Sequence, residues 1–304
     1  MCMQAIKQGI ILKGIGGLYF VYSEGDIYEC NVRGIFRKDK FKPLPGDKVE
    51  MTECDDVGKK ATISSFFTRK NRFYRPDVAN IDKLIIVIAS KKPAADFMLV
   101  DKMLITAFMN EVEPILIINK SDQDSSFAQD IYNCYSKAIK CIVANSVDGV
   151  GINDIKSEID GYTCVLAGQS GVGKSTLLNH MLGIKAMQTG DLSNKTDRGR
   201  HTTRHSEIFI PEQGVFADKT LIIDSPGFSM YDIEMIPPED LSNYYPEMYN
   251  IKNGSCRFQD CSHTGEPGCV VVDTLERGDL SSDRYRRYVE IYNELVIKNK
   301  NKYK

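Results

Sequence analysis

The stretch GQSGVGKS at residues 168–175 restricts the fold of this chain more than any other feature of the sequence. It satisfies the pattern G-x-x-x-x-G-K-[ST], follows an apolar run at 163–167 and precedes the helix-forming residues TLLNHML. Glycines in such a loop let backbone N–H groups surround a phosphate, and the following helix directs its positive end at the same group. The pattern predicts an α/β fold in which this loop binds a nucleotide. The predicted contacts are Gly168, Gln169, Ser170, Gly171, Val172, Gly173, Lys174, Ser175 and Thr176.

A magnesium site is predicted beside this loop. Lys174 is expected to reach the β- and γ-phosphates, and Ser175 is expected to bind Mg²⁺. The sequence DSPG at 224–227 follows an apolar run and resembles the D-x-x-G motif, whose Asp holds Mg²⁺ and whose Gly amide senses the γ-phosphate. Ser-Pro-Gly would also suit a plain β-turn. Its position at the end of a strand favours Asp224 and Gly227 as functional residues.

A second motif, NKSD at 119–122, follows the apolar run ILII and indicates which base is bound. Residues that contact ligands lie at the carboxyl ends of strands in α/β sheets. NKSD resembles the guanine-specificity motif of GTPases, and its carboxylate can accept hydrogen bonds from N1–H and the 2-amino group of guanine. Adenine lacks this pair of donors and would leave the carboxylate unpaired. The predicted guanine-binding residues are Asn119, Lys120, Ser121 and Asp122, although the tetrad alone would also suit a surface turn.

The order of these motifs is unusual, because NKSD precedes the phosphate loop and DSPG follows it. In the common arrangement of GTPases the phosphate loop comes first. Joining the termini of a compact domain and opening the chain elsewhere keeps the same packed sheet, so a circular permutation is physically permissible. The segment after DSPG, which we expect to move with the nucleotide state, then runs directly into the C-terminal part of the chain.

A polar stretch, RGRHTTRH at 198–205, suits a switch segment between the phosphate loop and DSPG. A threonine here would complete the coordination of Mg²⁺, and Thr203 is preferred to Thr202. Phe228 stands where many GTPases carry a glutamine that orients water. Because an apolar side chain cannot orient water, we predict slow intrinsic hydrolysis that a partner accelerates. His201 is the candidate for positioning the water, although an exposed loop histidine or an RNA contact would fit the same position.

A compact set of metal-ligand residues predicts a zinc site near the C-terminus. Its members are Cys256, Cys261, His263 and Cys269. Four nitrogen and sulfur ligands suit tetrahedral Zn²⁺, and a set with no open position indicates a structural ion. The other six of the nine cysteines are scattered without a pairing rhythm, as expected of thiols in a reducing compartment. A disulfide is therefore disfavoured here.

The remaining sequence predicts three domains. Residues 1–70 contain short apolar stretches between turn residues, which fit a small barrel of the oligonucleotide-binding type, although an SH3-like barrel would give a similar pattern. Residues 71–236 alternate strands with helices and predict a parallel sheet. Residues 237–304 change to irregular chain, the cysteine cluster and a helical tail.

Charge suggests where a polyanion would bind. Residues 1–75 carry 14 Lys+Arg against 9 Asp+Glu, in a chain of net charge −2. The C-terminal tail is also basic, and its arginines Arg284, Arg286 and Arg287 are interpreted either as a solvated face or as a second docking surface. A stripe at helical spacing in the same tail predicts a packing face. Its members are Tyr285, Tyr288, Val289, Tyr292, Leu295 and Val296.

No apolar run approaches the length of a membrane span, and Lys7 and Lys13 interrupt the N-terminal stretch where a secretion signal would need an apolar core. We expect a soluble cytoplasmic protein that does not associate with membranes. We also expect it to be a monomer.

Together, NKSD before GQSGVGKST, GRHTT, DSPG followed by Phe, and CRFQDCSHTGEPGC resemble the circularly permuted GTPases of the ribosome small subunit-dependent GTPase A family. The resemblance covers essentially the whole chain. It implies an oligonucleotide-binding barrel, a permuted GTPase domain and an α-helical C-terminal domain that contains zinc. It also implies hydrolysis of GTP to GDP, binding to the small ribosomal subunit and its 16S rRNA, stimulation by that subunit during its late maturation, and release afterwards.

One element departs from the family pattern, because the usual Ser-Ala base contact reads Ala144-Asn145-Ser146. Three alternatives stay open on the residues alone. A metabolic phosphate-loop kinase would have the loop without NKxD and would prefer ATP. A non-enzymatic RNA-binding scaffold would use only the barrel and the zinc module. A translation-factor GTPase is the third alternative, and the permuted order of the motifs argues against it.

Overall fold

The computed structural model describes residues 6–34, 41–55, 57–74, 76–183, 206–224, 233, 236–252 and 256–302. The chain forms two compact units, each assembled from separate stretches of sequence. The first comprises Met1–Ile85, Ile152–Ala167 and Lys174–Phe228, and the second comprises Ile86–Gly151, Gly168–Gly173 and Ser229–Lys304. The boundaries at 70 and 236 remain sequence predictions.

The N-terminal part of the first unit is a closed barrel of five strands. They are β1 (Ile6–Ile15), β2 (Leu18–Ser23), β3 (Asp26–Val32), β4 (Lys48–Asp55) and β5 (Lys60–Phe66). The order β1-β2-β3-β5-β4 is closed by antiparallel pairing of β1 with β4, and β3 lies parallel to β5. Strand alternation in β3 buries Tyr28, Cys30 and Val32 in the barrel core. The predicted barrel of the oligonucleotide-binding type is confirmed.

A larger sheet of six strands follows, in the order β10-β9-β8-β11-β13-β12. A short hairpin of β6 (Arg72–Tyr74) and β7 (Asp77–Ala79) precedes it. The six strands are β8 (Lys83–Ala89), β9 (Glu113–Asn119), β10 (Lys140–Val143), β11 (Thr163–Ala167), β12 (Glu207–Phe209) and β13 (Leu221–Asp224). The pairs β10–β9 and β11–β13 are parallel, whereas β12 is antiparallel to β13. β8 is buried along its whole length, as expected for a strand covered on both faces.

Four helices alternate with these strands, as the sequence predicts. They are α1 (Phe97–Met109), α2 (Ser125–Tyr135), α3 (Ile152–Ile159) and α4 (Lys174–Leu182). An aspartate begins each of the first two. Asp96 accepts a hydrogen bond from Leu99 N, and Asp124 accepts one from Phe127 N, which satisfies amides that a helix start leaves unpaired.

The C-terminal part of the second unit is helical. It contains a 3₁₀ helix (Pro238–Tyr244), α5 (Pro246–Lys252), α6 (Val270–Glu276) and α7 (Ser282–Lys302). Five members of the predicted packing stripe of α7 belong to the core of this region or pack against it, and Tyr288 and Leu295 are buried in the same cluster as Leu241 and Met248. None of the helices in the described ranges is long and apolar enough to cross a membrane.

Buried charges join α1 to α7 within the second unit. Arg284 donates to Asp101 Oδ1 from Nη1 at 2.7 Å, and Arg287 donates to Asp101 Oδ2 from Nε at 2.5 Å. Tyr135 also donates to Asp101 Oδ1, and Glu247 accepts from Arg284 Nε. Burial alone lowers the pKa of a guanidinium, but Asp101 and Glu247 raise the pKa of Arg284 well above its ordinary value.

This network corrects the interpretation of two of the three arginines in the C-terminal tail as a solvated face or a docking surface. Arg284 and Arg287 are only 1% and 7% exposed, so they form neither a solvated face nor a docking surface. Arg286 remains exposed, with 67% of its side chain accessible. A helix places residues 284 and 287 on one face and 286 on another, and only the packing partner decides which face is covered.

We predict that Asp101→Ala lowers the free energy of unfolding by about 3–5 kcal/mol, because it leaves buried guanidinium groups without their carboxylate. Urea unfolding followed by circular dichroism measures the loss. The matched control is Asp130→Ala, which changes an exposed carboxylate on α2 and should shift stability by less than about 0.5 kcal/mol. Equal losses in the two variants would contradict a role for buried charge.

Candidate nucleotide-binding and metal sites

The phosphate loop lies between a strand and a helix, as the sequence predicts. β11 ends at Ala167 and α4 begins at Lys174. Gly168, Gly171 and Gly173 have φ values of 140°, 81° and 99°, a region that side chains rarely adopt. A Cβ atom at position 168 would lie 2.2 Å from Val87 O. The loop backbone therefore approaches the neighbouring strand too closely for any residue but glycine.

The NKSD element contacts this loop directly. Asn119 ends β9 and is completely buried. Its Nδ2 donates to Val172 O at 2.8 Å and to Ser146 Oγ at 3.1 Å, while its Oδ1 accepts from Ser146 N at 3.0 Å. A Cβ atom at Gly173 would lie 2.3 Å from Asn119 Nδ2. Residues more than fifty positions apart in sequence are therefore in contact.

Lys120 makes a second connection between the motifs. Its Nζ donates to Gly171 O at 2.7 Å and to Lys92 O at 2.9 Å, and its backbone has a φ of 58°. Ser121 N donates to Ala144 O at 3.1 Å, and the side chain of Asp122 is exposed. Asn119 and Lys120 thus hold the loop, whereas the side chain of Asp122 is exposed to solvent.

The segment Ala144–Ser146, whose role the sequence left uncertain, positions Asn119. Ser146 exchanges two hydrogen bonds with the Asn119 amide, as given above, and is buried. The turn that follows is closed by a bridge between Asn145 and Val150, and Asn145 Nδ2 donates to Asp148. Sequence reasoning missed this role, because nothing in a 27-residue separation indicates that a serine will meet an asparagine.

Some of the residues predicted to bind phosphate and magnesium lie in the first unit. Lys174, Ser175 and Thr176 form the first turn of α4. Asp224 ends β13, which pairs with β11 in a register that places Asp224 opposite Leu166. Burial lowers the pKa of Lys174, and the negative charge of Asp224 opposes that shift. The carboxylate is therefore close enough to act on the lysine.

Three predicted site residues, His201, Thr203 and Gly227, lie outside the described residues, as do Thr202 and Phe228. Their roles stay predictions from the sequence.

The three cysteines and the histidine converge at one point in the second unit. The ligand atoms of Cys256, Cys261, His263 and Cys269 all lie within 4.8 Å of one another. His263 Nδ1 is 3.6 Å from Cys256 Sγ and 3.4 Å from Cys269 Sγ, and these two sulfurs are 3.9 Å apart. Tetrahedral zinc with bonds of about 2.0–2.3 Å would space its ligand atoms at about 3.5–3.8 Å. The residues fit a tetrahedral metal ion.

The thiols of this cluster also require a cation if they are to ionise together. Burial and the neighbouring sulfurs raise the pKa of Cys261 to about 12, and burial raises the pKa of Cys269. Only thiolates bind a metal strongly, and a central cation reverses such shifts by releasing the protons. The cluster is therefore suited to a metal ion and unsuited to three isolated thiolates.

Comparisons with known proteins agree with this arrangement. The family described as RsgA GTPase matches residues 66–234, and the RsgA N-terminal domain matches residues 8–63. A protein of Ruminiclostridium cellulolyticum named small ribosomal subunit biogenesis GTPase RsgA is 44% identical over 95% of this chain and 94% of its own length. A protein of the same name from Caldanaerobacter subterraneus subsp. tengcongensis is 38% identical over 98% of each chain.

Two solved structures resemble the whole chain at 30% identity. The crystal structure of YjeQ from Thermotoga maritima superimposes with a TM-score of 0.79 and covers 96% of this chain and 99% of the other. YloQ, described as a circularly permuted GTPase, gives a TM-score of 0.77 over 97% and 96% of the two chains.

The fold and the motif order thus define a circularly permuted GTPase with an N-terminal β barrel and a C-terminal Cys/His cluster compatible with zinc. The chain belongs to the RsgA GTPase family.

We predict that Gly173→Ala weakens the binding of both GTP and GDP by about 10–100-fold, because the new methyl group must displace the Asn119 amide that holds the loop. Fluorescent-nucleotide titration measures the affinities. Gly214→Ala is the matched control, since Gly214 also has a positive φ but no atom within 4 Å of a new Cβ. Nucleotide affinity of Gly173→Ala equal to that of the control would show that this contact does not shape the site.

Proposed function

We propose that this chain is a guanine-nucleotide switch that binds the small ribosomal subunit through its 16S rRNA, hydrolyses GTP there during late maturation of the subunit, and is released afterwards. The observation that carries the proposal is the contact of Asn119 and Lys120 with the carbonyls of Val172 and Gly171, which joins a base-reading motif to a phosphate loop. Relatives of this chain are named for biogenesis of the small ribosomal subunit. We place the protein in the cytoplasm as a monomer with domains at 1–70, 71–236 and 237–304.

We assign recognition of the base to Asp122. Its exposed carboxylate accepts from N1–H and the 2-amino group of guanine, while Asn119 and Lys120 keep the element against the phosphate loop. Ser121 follows on the same turn, anchored through its amide to Ala144. The preference for guanine then arises because a base without two adjacent donors would leave this carboxylate unpaired.

Phosphate binding and hydrolysis are assigned to the loop and its neighbours. The amides of residues 168–173 surround the phosphates, Lys174 supplies positive charge, and Thr176 continues the helix that points its positive end at them. Ser175, Thr203 and Asp224 would hold Mg²⁺, which offsets the charge that develops on the phosphate oxygens. Gly227 senses the γ-phosphate and His201 positions the attacking water.

The Cys/His cluster is assigned to one structural zinc ion. Its ligand spacing is that of a tetrahedral ion, and Zn²⁺ is the metal that three thiolates and one imidazole bind most often in such sites. All four positions are filled by the protein, so the ion would stabilise the C-terminal region and take no part in hydrolysis.

The first unit offers groups suited to RNA. Tyr74 is 75% exposed, with the Arg72 guanidinium 4.6 Å from its ring centre. Lys42 and Lys70 are also exposed, and they form salt bridges with Asp77 and Asp82 that phosphates would have to replace. Aromatic rings stack on unpaired bases, and cationic side chains contact phosphates. These groups support assignment of the basic end of the chain to rRNA.

The base assignment is tested by Asp122→Asn. An asparagine amide presents one donor and one acceptor, which no longer match guanine but do match xanthine, whose 2-position carries an oxygen. We expect at least a 100-fold loss of GTP affinity and a gain for XTP, measured by competition with fluorescent nucleotides. Asp130→Asn, an exposed aspartate on α2, is the control. Unchanged preference for guanine in Asp122→Asn would refute the assignment, and a preference for ATP in the natural protein would favour a kinase.

The partner assignment is tested by phosphate release from GTP with and without purified small subunits. We expect slow release alone and at least a tenfold increase with the subunits, since removal of one group that positions water or charge costs rates of this order. His201→Ala should lose the stimulated rate and keep nucleotide affinity. An RNA affinity that is the same with and without GTP, together with no phosphate release, would instead indicate a non-enzymatic RNA-binding scaffold.

A further inference from the structure

One ligand of the metal cluster has an unusual backbone. His263 has a φ of 60°, in the left-handed region that residues with side chains seldom adopt, and it is buried. Its Nδ1 lies 3.4 Å from Cys269 Sγ in this conformation. A conformation that is locally unfavourable persists only where surrounding contacts hold it.

The peptide groups around His263 are all held by hydrogen bonds. Glu266 accepts from Ser262 N at 2.9 Å through Oε1 and from Thr264 N at 2.8 Å through Oε2. Glu266 also accepts from the Ser262 hydroxyl. Tyr288 donates from Oη to Ser262 O at 2.6 Å.

These bonds restrict both backbone rotations, φ and ψ, of His263. The peptide group before the histidine is held through Ser262 O by Tyr288, and the peptide group after it is held through Thr264 N by Glu266. Because φ and ψ of His263 together set the relative orientation of these two peptide groups, neither group can turn without breaking a hydrogen bond. The carboxylate suits this role, since its two oxygens can accept from two amides at once.

We propose that Glu266, supported by Tyr288, is a positioning residue that presents His263 to the metal and thereby sets how tightly the ion is held. The proposal rests on the metal site assigned above. Groups behind the ligands commonly change metal affinity by about 10–100-fold, because they determine whether the ligands are ordered before the metal arrives.

Tyr288 links the hydrogen-bonded backbone around His263 to the core of the second unit. It lies on α7, is 1% exposed, and packs edge-to-face against Tyr245 with ring centres 5.1 Å apart. The loop that carries His263 is therefore fixed to a helix whose position is already determined by apolar packing. Ordering of the metal loop and docking of α7 then support one another.

The test uses the full chain and Glu266→Gln. A glutamine amide has one acceptor oxygen, so its NH₂ group would face one of the two amides. Competition for Zn²⁺ against a chromogenic chelator should show about a 10–100-fold weaker affinity. Co²⁺ substitution should show altered visible bands of the tetrahedral ion. Glu276→Gln, at an exposed glutamate on α6, is the matched control and should match the natural protein.

A second variant protects the test against misfolding. Tyr288→Phe removes only the hydroxyl group that holds Ser262 O and should weaken Zn²⁺ binding by several-fold, with Tyr292→Phe on the same helix as its control. GDP affinity and the far-ultraviolet circular dichroism should stay unchanged in all variants. Affinities of Glu266→Gln and Tyr288→Phe within twofold of their controls would overturn the positioning role. A natural protein that binds no Zn²⁺ would overturn the metal site itself, whereas the GTP assays above are independent of both.

Discussion

The proposed nucleotide site depends on the buried amide of Asn119, which joins NKSD to the loop at 168–173. Both of its N–H groups and its oxygen are used, toward Val172 and Ser146. An unpaired polar group at a fully buried position costs about 1–3 kcal/mol, so the three segments that meet there have one favourable arrangement. Lys120 adds a charged donor to Gly171 O in the same place. These contacts shape the backbone of the loop, and the side chain of Asp122, two residues after Lys120, is exposed.

The position of each motif at the end of a strand explains how the motif order can be permuted while the proposed site is kept. Each motif stands at the end of a strand, since β9 ends at Asn119, β11 leads into the loop and β13 ends at Asp224. Parallel strands bring their carboxyl ends to one edge of a sheet, whatever the order in which the chain visits them. The proposed site depends on which strand ends the motifs follow, and the order in which the chain visits those strands can vary.

Paired charges and the Cys/His cluster organise the second unit, because each arrangement satisfies polar groups that are buried. Asp101 is paired with two arginines of α7, and the metal loop is tied to that helix through Tyr288. A buried carboxylate without its arginines, or three neighbouring thiolates without a cation, would be strongly unfavourable. These polar contacts fix the position of α7 against α1 more specifically than apolar packing alone would.

The sequence by itself determined the β barrel, the alternating α/β region, the phosphate loop, the NKSD tetrad and the four metal ligands, because each is a local pattern of residue types with a fixed spacing. It also predicted the packing face of α7. Only the tertiary structure decided that Ser146 orients Asn119, that Glu266 and Tyr288 hold His263, and that Arg284 and Arg287 are buried. Each of these depends on side chains that meet across long separations in sequence, or on which face of a helix finds a partner, and no local pattern carries that information.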